Sequence, residues 1–89
     1  MPRLNIRTSL NSVVLVGEFC GWDIDKAIRA DRMPQRKLIS VDMPKGEYRV
    51  LSCRSYQGGE VYPTDGRQMP NRYFGKHTET ITCYFERKV

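Results

Sequence analysis

Apolar residues along this chain recur in short runs rather than at helical spacing. Leu4 and Ile6 alternate with polar neighbours, the period-two pattern of a strand with one buried face. Ser12 to Phe19 (SVVLVGEF) is an apolar, β-branched run. It is too short for an ordinary helix and reads as a strand buried on both faces. Residues 37–43 and 48–56 predict two more strands. Between them, Met43-Pro44-Lys45-Gly46-Glu47 is a turn, because Pro44 presets φ at the first corner and Gly46 accepts the positive φ of a tight connection. Residues 37–56 are therefore expected to form a β-hairpin. Gln57-Gly58-Gly59-Glu60 is a second turn, and Val61-Tyr62 is a short strand stopped by Pro63. Residues 64–71 form a polar loop with turn signals at Asp65-Gly66 and Pro70-Asn71. Thr78 to Phe85 is the final strand.

Residues 25–32 (DKAIRADR) are the one stretch with helical character. Asp23 or Asp25 is placed to cap a single turn, with Ile28 facing inward. The stretch is too short to stand alone as a helix, so a loop holding one turn is expected, ended by Met33-Pro34. About six to eight short strands with no long helix predict an all-β sandwich. The chain has 89 residues, enough for one domain covering 1–89. A domain this small buries roughly 60–65% of its unfolded surface, so its core is thin.

Composition changes this picture little. Hydrophobic residues at 39% and charged residues at 28% suit a globular protein and exclude a disordered one. No apolar run approaches the roughly 18 residues of a membrane-crossing helix, so no membrane association is expected. Residues 1–7 lack the apolar stretch of a signal peptide, and a cytoplasmic location is the expectation. The net charge of +5 comes from scattered cations, with no run longer than the pairs Arg36-Lys37 and Arg87-Lys88. Such a surface attracts anions only weakly, and nucleic acid is not an expected partner. Cys20, Cys53 and Cys83 are odd in number and widely spaced, which does not suggest a disulfide framework. With His77 they form no Cys-x-x-Cys pair, so they read as small partly buried hydrophobes, and no metal or cofactor is expected.

Two segments carry a resemblance. The first, Val13 to Asp23, is an apolar strand followed by Gly17-Glu18-Phe19-Cys20-Gly21-Trp22. The second, Leu38 to Val50, is a strand ending in Met43-Pro44-Lys45-Gly46 that returns through Tyr48-Arg49-Val50. Together they resemble the glycogen-binding, isoamylase N-terminal-like modules, early-set immunoglobulin-like domains found in glycogen-branching enzymes and in the β subunit of AMP-activated protein kinase. With weaker similarity at Phe74-Gly75 and the last strand, the resemblance spans about residues 12–85. It implies an immunoglobulin-like β-sandwich that stacks α-glucan rings on aromatic side chains. By position it implies Trp22 as a stacking platform and Arg49 as a cation on the returning strand. Phe74 takes the place of an apolar side chain that enters the glucan coil, and Lys76 and Thr78 fall near hydroxyl-binding positions. The family's second tryptophan has no counterpart: Val61 falls nearest its place, and Tyr62 is the aromatic at hand to substitute. The Asn-Asn pair expected before the last strand is replaced by something like Thr78-Glu79.

Catalysis finds no support in the residues. His77 has no evident nucleophile partner, Ser and Cys occur in no nucleophile motif, and Gly58-Gly59 is a turn rather than a phosphate loop. The expectation is a non-catalytic module that docks an α-glucan on Trp22, Arg49, Tyr62, Phe74, Lys76 and Thr78. The alternative is a protein–protein interaction domain or small structural subunit, self-associating or with another chain, that keeps the fold without the sugar site. It would pair through an edge strand or an exposed aromatic face.

Overall fold

The computed structural model describes residues 2–52 and 58–85. Among them are seven strands: β1 (Leu4–Arg7), β2 (Ser12–Gly17), β3 (Ile28–Asp31), β4 (Ile39–Val41), β5 (Gly46–Leu51), β6 (Arg72–Phe74) and β7 (Glu79–Thr82). They form a three-stranded sheet in the order β4-β1-β7 and a four-stranded sheet in the order β3-β2-β5-β6. The expected all-β sandwich is what the chain adopts.

The interior follows from alternation. Leu4 and Ile6 of β1, Val13 and Leu15 of β2, Ile39 and Val41 of β4, Tyr48 and Val50 of β5, and Phe74 of β6 all point between the sheets. The β2 run is buried on both faces, as its composition implies, because Val14 and Val16 on the far side meet a second, smaller cluster with Leu51. That cluster is covered by Cys20, Trp22, Ile24 and Ala27, so the β2–β3 connection folds over the outside of the four-stranded sheet.

Three expectations need correction. Residues 25–32 hold one 3₁₀ turn, Ile24–Lys26, capped as expected by the Asp23 side chain, but they continue into β3. Pairing decides this: β3 runs antiparallel to β2, with Val13 opposite Ala30 and Leu15 opposite Ile28. The hairpin expected over 37–56 is instead a crossover. β4 pairs with β1, and β5 pairs with β2 and β6 in the facing sheet. A Pro-x-Gly corner serves either route, and what selects the crossover is the apolar partner each strand finds. Finally, β6 lies in a stretch left without a strand, whereas Val61 makes only an isolated bridge, to Gln68. The far end of the strand expected over 48–56, with Cys53 and Tyr56, lies outside the described residues.

Two arginines tie the sheets together at opposite sides. At the β3–β4 side, Arg32 donates to the carbonyls of Thr8 (2.7 Å), Lys37 (2.6 Å) and Leu10. At the β6–β7 side, Arg72 grips Glu60 through Nε to Oε1 at 2.9 Å and Nη2 to Oε2 at 2.6 Å. Its Nη2 also donates to the carbonyl of Thr82 in β7 at 3.4 Å. Glu60 is only 5% exposed, so its charge depends on this partner.

The β2–β5 pair closes on a glycine. A Cβ on Gly17 would lie 2.4 Å from the Glu47 carbonyl oxygen and 2.9 Å from Tyr48 Cα, both backbone atoms that cannot swing aside. Gly17→Ala is expected to cost about 1–3 kcal/mol in urea denaturation, the usual range for overpacking; wild-type stability would show that these strands separate freely. Arg72→Met strands the Glu60 carboxylate, and a loss of about 3–5 kcal/mol is expected. Adding Glu60→Gln in the same chain should recover much of it, and no recovery would place the loss in packing rather than charge.

Candidate functional site

The outer face of the four-stranded sheet is the surface where expected site residues meet. Trp22 reaches it through a turn. Gly21 has φ +64° and Trp22 has φ +61°, both left-handed, and Asp23 N donates to the Cys20 carbonyl at 3.2 Å. This has the dihedral signs of a type I′ turn, whose second corner is normally Gly or Asn. A tryptophan there is strained by roughly 1 kcal/mol or more. It is held by its own N–H, which donates to the Gly17 carbonyl at 3.0 Å. The half-buried indole packs on the Val14, Val16 and Leu51 cluster.

Arg49 arrives on the same face by register. It lies opposite Val16 across the β2–β5 ladder, while its neighbours Tyr48 and Val50 point into the core. Its Nη2 donates to Gln68 Oε1. Two positions earlier, Glu47 also faces outward. Its Oε2 accepts from Asn71 Nδ2 at 3.1 Å, and its backbone N–H donates to Glu18 Oε1 at 2.9 Å. Opposite Glu47 on β6 stands Tyr73, 58% exposed. Its place on this face follows only from the β6 strand and its pairing with β5.

The other expected site residues lie elsewhere. Phe74 is fully buried in the main core beside Tyr48, which corrects its expected role as a side chain presented to a ligand. It faces inward because Tyr73, its neighbour on β6, faces outward. Tyr62 lies at the opposite end from the β2–β3 turn, under the Arg67 guanidinium at 5.4 Å from the ring centre. Arg67 in turn pairs with Asp65 at 2.7 Å, and its backbone N–H and side chain hold the Asp65 carboxyl below its usual range. Tyr62, Arg7, Ser9, Tyr84 and Phe85 help line a cleft of about 700 Å³. Lys76 and Thr78 occupy the β6–β7 connection. Both are exposed; Lys76 has φ +68°, and Thr78 Oγ1 accepts from the Arg3 N–H at 3.2 Å.

Inside the sandwich, Glu60 and Arg72 sit near Cys83 and Tyr48. Burial, then the Glu60 charge, pushes the Cys83 thiol well above its usual value, while Arg72 opposes this. Burial likewise raises the Tyr48 phenol, whose oxygen has no hydrogen-bond partner among the described residues. Among the described residues, no three His, Cys, Asp or Glu side chains group to hold a metal ion. No described helix is long and apolar enough to cross a membrane.

Comparison of the chain with models of known families, with curated proteins and with solved structures finds no match to any of them.

Both raised groups hold their protons more tightly in the folded than in the unfolded chain. Their contribution is complete below pH 9.0 and is lost as pH climbs past the unfolded values of 9.0 for Cys83 and 10.0 for Tyr48. Stability in urea is therefore expected to fall steadily above pH 9.0. Cys83→Ser should flatten the earlier part of that fall, and an unchanged curve would refute the assignment.

Proposed function

We propose that this chain is a non-catalytic binding module whose contact surface for α-glucan is the outer face carrying Trp22 and Arg49. The observation that carries this reading is the β2–β5 pairing. It sets the two motif-bearing segments side by side, with Gly17 opposite Tyr48 and Val16 opposite Arg49. Two residues far apart in sequence thereby share a face, and one of them is a tryptophan held in a strained turn. Strain of this kind concentrates at sites where a side chain must be presented. The immunoglobulin-like character of the sandwich and a cytoplasmic setting belong to the same proposal.

A second reading has its own support. Phe74 is buried in the core, and no tryptophan takes the place of the missing second platform. A domain reduced in this way suits a protein–protein interaction or structural role, with this chain or another as partner. A stable oligomer in size-exclusion chromatography with light scattering would favour it.

Isothermal titration with maltoheptaose tests the first reading. Heat of binding and a shift of Trp22 fluorescence are expected. Arg49→Ala, a change at a half-exposed strand position, should weaken binding about tenfold. No heat and an unmoved Trp22 emission would end the α-glucan proposal.

A further inference from the structure

We infer that Tyr73 is the second stacking aromatic of this face, so that a linear, uncharged oligosaccharide lies from Trp22 across β5 to Tyr73 and contacts more than one sugar ring. The inference rests on the reading of the face as an α-glucan surface.

Three observations carry it. The first is exposure. Tyr73 is one of three large apolar side chains exposed among the described residues, with Met33 and Tyr84. Tyr84 lines the cleft, whereas Tyr73 stands on the outer face opposite Glu47. The second is spacing. β6 is separated from β2 by β5 alone, so Tyr73 lies about 10 Å across the sheet from the strand on which Trp22 packs, at roughly 4.8 Å per strand. A gap of that width leaves room for polar contacts between two platforms. The third is charge. Between the aromatics lie Arg49 with Gln68 and Glu47 with Asn71. Each pair is pre-oriented, and each still carries amide or guanidinium groups to offer. The charges of Arg49 and Glu47 cancel, although the whole chain is +5. Along β3, Arg29 and Asp31 also pair, at 3.1 Å. Glu18, whose Oε1 accepts from the Glu47 N–H, adds one carboxylate beside a face that otherwise pairs its charges and is rich in donors and acceptors, which suits a polyol rather than an anion. The C–H faces of sugar rings meet the negative face of an aromatic ring favourably.

The test is titration of wild type, Tyr73→Ala and Tyr73→Phe with maltoheptaose and with maltotriose. Wild type is expected to prefer the longer sugar. Tyr73→Ala should bind maltoheptaose about tenfold more weakly and lose that preference, while Tyr73→Phe keeps both. Chemical-shift changes at the Tyr73 ring of wild-type protein on adding maltoheptaose provide a measurement that does not depend on a variant folding. Wild-type binding with Tyr73→Ala unaffected, or with the Tyr73 ring unmoved, overturns this inference and leaves the Trp22–Arg49 face standing. Failure of wild type to bind either sugar overturns both.

Discussion

The antiparallel pairing of β2 with β5 is the constraint on which the rest of the structure depends. β2 is covered on both faces and β5 contributes Leu51 to the outer side, so the pair belongs at once to the main core and to the smaller cluster outside it. Gly17 lets the two backbones close to a distance that no side chain allows. That closeness sets Glu18 against the start of β5, and the Gly17 carbonyl accepts from the backbone N–H of Trp22. The core, the outer cluster and the presentation of Trp22 thus share one backbone ladder.

The thin sandwich is then held at its two sides by charge rather than by further apolar area. Arg32 satisfies three carbonyls between the loops at one side, and Arg72 with Glu60 bridges the sheets at the other. The planar guanidinium suits both tasks, because its fixed fork of donors reaches several acceptors in different segments. At the Arg72 side, the ion pair sits beside a buried thiol and a buried phenol. Burial keeps the thiol and the phenol neutral, and the arginine is the positive partner that makes a buried carboxyl group tolerable.

The same geometry divides the surface into two kinds of region. The cleft around Tyr62 is a loop-built concavity at one end. The outer sheet face is a strand-built platform, on which the pleat and the register place Glu47, Arg49 and Tyr73 with little freedom to drift, while Trp22 is laid onto it by the turn after β2. Rigid strands present side chains more reproducibly than loops do, and this favours the face over the cleft as the proposed contact surface. The burial of Phe74 is the other consequence of that pleat: on β6, whichever aromatic faces the core leaves its neighbour to face solvent.

Alternation and turn chemistry alone determined that this chain is an all-β domain, that the run starting at Ser12 is a strand buried on two sides, and that Asp23 or Asp25 caps a short turn. Those are local matters, decided by the period of apolar residues and by backbone preferences within a few positions. Only the tertiary structure decided that the Pro44-Gly46 corner crosses between sheets, that residues 28–31 extend along β2, and that 72–74 is a strand with Phe74 inward and Tyr73 outward. Each of these depends on which distant strand offers a free edge and an apolar partner. The candidate site divides along the same line: Trp22 and Arg49 stood out by residue type and motif, whereas Tyr73 became visible only through its pairing with Glu47. An edge strand of only three residues, Arg72-Tyr73-Phe74, carries too little pattern to announce itself, and long-range pairing is what gives it a face.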